Sequence, residues 1–317
     1  MPFEPTEATH IVFSPPRMIG GEVHRGVIAT DIPGTVRGQI QRELWAVLLF
    51  LHGPTIPTFS PEVDLYLTSA TFREQCPHPQ VHLTARNFVD EQVFRPISAT
   101  KTYDLIFNAT WLPFKRHELL IDALTFARDQ GRPIRCMWFG YHWCTGFEQR
   151  EADLKQIVAD RQLPVDFLPT DHDPEEVNRR FNACRSLLIC STSEAGPRVM
   201  GEAMLTDLPC IVTRDTWGGV PELITSACGL LCEPNGSDIA KAIWRALDLS
   251  DSWTPREWAL ENLCVSASLR QLKRSLQQLE QQTGWRINHG EVTFPGFDWQ
   301  GRQRSARMAE NQYLATE

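Results

Sequence analysis

Two observations predict an α/β fold built on parallel sheets. From Tyr103 onward, short β-rich runs alternate with stretches of helical periodicity, the pattern of a parallel sheet with helices on both faces. The longest apolar run, Leu44 to Leu51 (LWAVLLFL), has the length of a buried strand or helix core and falls far short of the ~20 residues a spanning helix needs. A chain of 317 residues with 42% hydrophobic and 22% charged residues is long enough for two domains and has a soluble globular composition.

The strands expected in the second half are YDLIFNA, PIRCMWFG, PVDFL, RSLLICS, PCIVT and Gly229–Cys232. Between and after them, 117–130, 147–161, 174–183, 198–206, 237–249 and 254–282 read as helices. In the first, Leu119, Leu120, Ala123, Leu124 and Ala127 form one apolar stripe. In the last, Leu269, Leu272, Leu276 and Leu279 have heptad-like spacing over too short a distance for a coiled coil, so they read as core contacts.

The first hundred residues are less regular and hold half of the 22 prolines, with candidate strands HIVFS, AVLLFL and DLYLTS. A Pro and a small polar stretch (RPISATK) near Arg95–Lys101 mark the expected break. The expected organisation is therefore a domain over 1–97, a second over 98–284, and a polar, aromatic segment over 285–317. That last segment reads either as a tail or as chain packing back on the N-terminal domain.

With 31 Lys+Arg against 39 Asp+Glu, the net charge is −8, so no global positive field attracts nucleic acid. No Lys occurs in the first hundred residues, which leaves no polybasic surface for anionic lipid. MPFEPTEATH lacks the positive start and apolar stretch of a signal peptide, and a cytoplasmic location is expected. The nine cysteines mostly lie inside apolar runs and read as reduced core residues. None has the C-x-x-C spacing of a zinc site, and His142 and Cys144 lack evident further ligands, so no metal is expected. Asn108-Ala-Thr110 and Asn235-Gly-Ser237 match glycosylation acceptors only formally.

Ligands of open parallel sheets bind beyond the carboxyl ends of the strands, which directs attention to the loops there. After RSLLICS, the sequence STSEAGPRVMGEAM carries Glu194, Gly196, Pro197, Arg198 and Glu202. The Gly-Pro pair suits a tight turn into a helix whose first amides form an anion site, with Arg198 adding charge. The two carboxylates then flank that site and suit a polyhydroxyl-plus-diphosphate ligand; a loop carboxylate and a helix ion pair explain them as simply. After YDLIFNA, Lys115 and Arg116 stand at a helix start, where cations oppose the helix dipole unless an anion binds or a carboxylate lies nearby. After PCIVT, Gly218 and Gly219 allow close backbone approach, or form a plain turn.

In order, K-R-H-E-L-L, E-A-G-P-R-V-M-G-E-A-M, D-L-P-C-I-V-T, W-G-G-V-P-E-L-I and G-L-L-C-E-P resemble the nucleotide-binding half of GT-B-fold retaining glycosyltransferases of family 4. The resemblance runs over about residues 87–250, and NFVDEQVFRP (Asn87–Pro96) is similar to the family's interdomain segment. It implies a GT-B fold of two Rossmann-like domains, the N-terminal one reduced, and transfer of a sugar from a nucleotide-diphosphate donor to an acceptor hydroxyl with retention. By the same resemblance, Glu202 would hold the ribose hydroxyls, Glu194 the donor sugar, and Lys115 with amides around Pro197 and Val199 the departing diphosphate. No metal or other cofactor is implied. Met18–His24 (MIGGEVH) is similar to the family's Gly-Gly loop, placing Gly20 and Gly21 at the donor phosphate, though a plain turn fits as well. His52 follows an apolar run as the family's active-site histidine does; a structural histidine is the alternative.

Two departures stand out. Thr110 occupies a position where the family commonly has Arg, for which Arg116 or Arg198 would substitute, and the N-terminal half is short, leaving room for a homo-oligomer or partner subunit to complete it. They keep two other readings open: a degenerate nucleotide-sugar-binding subunit, and an epimerase or hydrolase on the same fold. Trp111 and Trp143 read as stacking surfaces for base or sugar, or as packing.

Overall fold

The computed structural model describes residues 10–30, 40–50, 59–69, 76–141, 146–170, 173–194 and 196–294. Two compact units divide the chain, Met1–Thr84 with Val265–Glu317 and Ala85–Cys264. Among the described residues, no helix is long and apolar enough to cross a membrane.

In the first unit, β1 (His10–Ser14) pairs antiparallel with β4 (Gly26–Thr30), and β5 (Trp45–Phe50), β6 (Leu65–Leu67) and β7 (Gln80–Val81) follow in parallel. GVIAT and WAVLLF are buried along their whole length, and WAVLLF reads accordingly as an unbroken apolar run. The Asp64 carboxylate ties the sheet ends together, accepting from the Val47 amide at 2.7 Å and from Arg42 at 2.5 Å. Strands β2 (Arg17–Ile19) and β3 (Glu22–His24) form a separate hairpin. The sequence pattern does not reveal β2, β3, β4 or β7, three of which are only two or three residues long and so too short to show a period.

The second unit alternates strand and helix: β8 (Leu105–Asn108), α1 (His117–Asp129), β9 (Cys136–Phe139), α2 (Glu148–Asp160), β10 (Val165–Phe167), α3 (Pro174–Asn182), β11 (Leu187–Ile189), α4 (Arg198–Leu205), β12 (Cys210–Thr213), β13 (Gly229–Cys232), α5 (Gly236–Asp248) and α6 (Pro255–Asn262). All six strands are parallel, in the order β10-β9-β8-β11-β12-β13. The order reverses between β8 and β11, where loops leaving the sheet diverge and open a crevice. Helix starts follow the sequence signals: Asp173 caps α3 through the Glu175 amide, and Asn235 caps α5 through the Asp238 amide at 3.0 Å. The formal acceptor Asn235-Gly-Ser237 is thus a helix cap.

One expected helix, 254–282, is two. The amides of Leu263 and Cys264 both bond to the Ala259 carbonyl, closing α6, and Cys264 forms a bridge with Val89. The chain then enters α7 (Val265–Thr283) in the first unit, where Leu272, Leu276 and Leu279 are buried. No Pro or Gly marks the interruption; the tertiary bridge makes it.

The units meet at 84/85, ahead of the division at 97/98 expected from RPISATK. Two buried amides on α3 hold the intervening strip: Asn178 Oδ1 accepts from the Arg95 amide at 3.1 Å and Asn182 Oδ1 from the Ile97 amide at 2.9 Å. Arg256 also donates to the Phe94 carbonyl at 3.0 Å. Beyond α7, the described chain to Phe294 runs within the first unit, where the Asn288 amide bonds the Arg25 carbonyl at 2.8 Å and the Thr293 amide the Phe13 carbonyl at 2.8 Å. The eight described cysteines are buried free thiols, and burial pushes Cys190 and Cys232 up to about 12. Cys144 lies outside the described residues.

Candidate active site

Strands β8, β11 and β12 end at one edge of the second sheet, and the loops that follow them are bonded to each other. The Thr192 amide donates to the Phe114 carbonyl at 2.8 Å, the Glu194 amide to the Trp217 carbonyl at 2.7 Å and the Trp217 amide to the Thr192 carbonyl at 3.0 Å. This backbone lacing fixes Lys115, Glu194 and the 214–219 loop as one rim.

On that rim the Lys115 ammonium pairs with Glu194 Oε1, the same oxygen that accepts from Ser191 Oγ at 2.6 Å. The pair is 15% and 11% exposed, shielded enough to matter electrostatically yet open at the edge of the sheet. One turn into α4, Glu202 sits 3.6 Å from Arg198 and is 12% exposed. Burial raises the Glu202 carboxyl above its usual range, and Arg198 opposes that shift. Among the described residues no side chain caps α4, whose start at Pro197, Arg198 and Val199 adds helix-end amides to the Arg198 charge. Gly201 is required behind this helix: a Cβ there would meet the Arg86 carbonyl oxygen at 2.7 Å.

Arg116 has a different fate from Lys115. It adopts a left-handed backbone (φ 52°) and its guanidinium bonds the Cys190 and Ser191 carbonyls, Thr213 Oγ1 at 2.7 Å and both oxygens of Asp215 at 2.6 and 2.9 Å. That engagement holds Asp215 below the usual carboxylate range. Both cations at the α1 start have therefore found carboxylates, the condition the dipole argument demanded. Gly218 (φ 113°) and Gly219 (φ 82°) continue the loop after Trp217 in conformations that favour glycine.

The other sequence candidates stand on other elements. Gly20 (φ 60°) and Gly21 (φ 84°) form the two-residue turn of the β2–β3 hairpin in the first unit, with Ile19 paired to Glu22. Trp111 is buried, stacked 5.4 Å from the His117 ring and 5.6 Å from Trp138, and so packs the core. Thr110 is also buried, and its hydroxyl finds no hydrogen-bond partner among the described residues. His52 and Trp143 lie outside the described residues. Asp215, Ser191, Phe114 and Tyr141 join the rim without having been singled out in the sequence; their position just past strand ends is the one signal that marks them. Among the described residues, no three His, Cys, Asp or Glu side chains are grouped so as to hold a metal ion.

The model of the glycosyl transferases group 1 family matches residues 89–258, more than half of the chain. The chain belongs to the glycosyl transferases group 1 family. At the level of sequence, no curated protein matches it. Among solved structures it is similar to sucrose-phosphate synthase of Thermosynechococcus elongatus, at 17% identity over 79% of this chain and 71% of that one, TM-score 0.61. It is also similar to HepE of Anabaena in complex with UDP, at 19% identity over 74% and 72%, TM-score 0.59. A third likeness is to the pneumococcal O-GlcNAc transferase GtfA in complex with UDP and GlcNAc, at 14% identity over 75% and 53%, TM-score 0.56. At such identities the likeness establishes the fold, a GT-B arrangement of Rossmann-like α/β units. The matched segment contains every rim residue described above.

Proposed function

We propose that this family member transfers a hexosyl group from a nucleotide-diphosphate sugar to an acceptor hydroxyl with retention of anomeric configuration, as the family resemblance of the motifs implies. The observation that carries the reading is that Glu194 precedes the α4 start and Glu202 lies one turn into it, each carboxylate paired with a cation, Lys115 and Arg198, beside the sheet's crossover point. The UDP complexes of HepE and GtfA support a nucleotide-sugar donor.

In this reading Glu202 accepts hydrogen bonds from the ribose hydroxyls and Glu194 from the donor sugar. The bond from the anomeric carbon to the β-phosphate oxygen breaks as the acceptor oxygen bonds to the same face of that carbon, and the acceptor proton leaves toward the diphosphate. Negative charge grows on the departing diphosphate, so the Lys115 ammonium, Arg198 and the α4 amides stabilise the transition state more than the ground state. These fixed charges take the place a divalent ion fills elsewhere, and the reaction is proposed to need no metal. Donor binding is then expected to survive EDTA.

A thermal-shift screen of nucleotide sugars finds the donor, since saturation at 100 times Kd adds ~2.7 kcal/mol. Proton NMR of the product formed with that donor then reads the anomeric configuration. An α-linked product from an α-linked donor is expected; an inverted product overturns retention, and donor binding without transfer to any acceptor pool identifies a binding subunit.

A further inference from the structure

After α7 the chain returns to the amino edge of the first sheet. The Arg25 amide donates to the Arg286 carbonyl at 2.8 Å and the Asn288 amide to the Arg25 carbonyl at 2.8 Å, which holds 286–288 beside the residue entering β4. Glu43 stands two residues before β5, which runs parallel to β4, and so shares this edge. Ligands of open parallel sheets ordinarily bind at the opposite, carboxyl edge. The amino edge is nevertheless indented by two adjoining hollows of about 390 and 500 Å³, both bordered by Trp285 and Arg286 and both within the first unit. Each has the volume of a small-ligand site.

Trp285 is set between the two hollows. The Arg25 guanidinium covers the ring, 3.6 Å from its centroid, and fixes its orientation. Among the described residues no other ring or cation stacks on this half-buried indole, and its Nε1 donates no hydrogen bond. The larger hollow is walled by polar side chains. Along α7, Gln277, Glu280 and Gln281 follow at i, i+3 and i+4, one face of its last turns. Glu280 accepts from the Ile287 amide at 2.7 Å and lies 3.2 Å from His289 Nδ1, while Gln277 Nε2 lies 3.5 Å from His289 Nε2. These contacts set the shape of the wall. The exposed Gln281 carboxamide makes no hydrogen bond among the described residues.

The lining selects its ligand largely by exclusion. An anion would meet a carboxylate in either hollow, Glu43 and Glu22 in one, with Glu22 3.5 Å from Arg286, and Glu280 in the other. An apolar ligand would strip water from the carboxamides and from Glu280 without replacing their hydrogen bonds. The hydroxyls of a neutral pyranose both donate and accept, as carboxamides, a carboxylate and an imidazole together require, and its C–H face suits an indole. We propose that this amino-edge site binds a neutral saccharide, with Trp285 against the sugar ring and Gln277, Glu280 and Gln281 on its hydroxyls. The residues assigned to the donor belong to the second unit, and the proposal does not rest on that assignment.

Calorimetric titration of the full chain with maltohexaose, cellohexaose, mannohexaose and chitohexaose tests this, with inorganic phosphate and a heparin hexasaccharide as anionic probes. At least one neutral hexasaccharide is expected to bind at millimolar concentration or below. Trp285→Ala should weaken it about tenfold and Gln281→Ala about threefold, the scales of a lost aromatic contact and of a lost neutral hydrogen bond. Circular dichroism checks that the variants fold; should Trp285→Ala fail to, the exposed Gln277→Ala and Gln281→Ala carry the test. Glu194→Ala, on the second unit, should bind the saccharide like wild type. The proposal is overturned if none of the four neutral probes binds, if binding is indifferent to the substitutions at 277, 281 and 285, or if only the anionic probes bind. A loss reproduced by Glu194→Ala overturns it as well, by placing the saccharide at the rim of the second sheet.

Discussion

The rim of the second sheet and the floor just beneath it are made from neighbouring residues and have opposite electrostatic character. On the rim, Lys115–Glu194, Arg198–Glu202 and Arg116–Asp215 are ion pairs at the mouth of the strand-end loops. Directly below, His117 is fully buried, stacked 5.4 Å from Trp111 and 5.6 Å from Trp138 with Phe107 edge-on at 5.5 Å. Burial, reinforced by the positive charge of Arg150, lowers its pKa to about 4. Three consecutive basic residues, Lys115, Arg116 and His117, therefore become a cation paired with one carboxylate, a guanidinium clamp bonded to four residues and a neutral ring. Residue type is shared among them; depth and partners decide what each does.

The largest effect is expected from breaking the rim at the Lys115–Glu194 pair. Lys115→Ala should lower the rate of single-turnover sugar transfer by ~10²–10³, the scale of losing one preorganised electrostatic donor, while changing donor affinity less. A variant that loses donor affinity and rate in equal measure would place Lys115 in ground-state binding.

On the floor the corresponding experiment is acidification. A folded pKa near 4 against an unfolded value near 6.5 means that the unfolded state binds more protons between those values. The stabilisation is thus complete above about pH 6.5 and is lost as pH falls to about 4, amounting to ~3 kcal/mol. The raised Glu202 carboxyl works in the opposite direction, since protonating it favours the fold. Comparing denaturant unfolding of wild type with His117→Phe from pH 4 to 7 isolates the histidine, and the phenylalanine variant should show the flatter profile.

Arg116 sharpens the boundary between the two regions. Arg116→Ala removes the bonds to Cys190, Ser191, Thr213 and Asp215 together, and should cost about 2 kcal/mol of stability after allowing for the half-exposed Asp215. Urea unfolding measures it; a loss of transfer with stability intact would move Arg116 from clamp to donor contact. The smallest effect is expected from Glu202→Gln, which keeps one acceptor oxygen and surrenders only the charge. A decrease in UDP affinity of about fivefold, near 1 kcal/mol by calorimetry, separates this role from that of Lys115.

The alternation from Tyr103 onward was legible in the sequence because its central strands are buried and read as apolar runs, and because helices such as α1 and α5 keep a periodic apolar stripe. Strand ends and helix starts in that half fall within a few residues of their expected places, and the strand-end loops holding Lys115 and Glu194, with the helix start holding Arg198 and Glu202, could be named from strand-end position alone. The first unit was less readable, since β2, β3 and β7 are too brief to carry a period.

What the sequence by itself determined is the α/β class, the parallel second sheet and most of the charged residues on its carboxyl edge, Lys115, Arg116, Glu194, Arg198 and Glu202 but not Asp215, because local periodicity and strand-end position are properties of short stretches of chain. Tertiary structure alone decided the break between α6 and α7, made by a bridge from Cys264 to Val89, and the joining of residues 85–97 to the second unit by the amides of Asn178 and Asn182. It also decided which cation pairs with which carboxylate. Lys115 and Glu194, or Arg116 and Asp215, are far apart in the chain, and their partnership follows from the order in which the sheet sets its strands side by side.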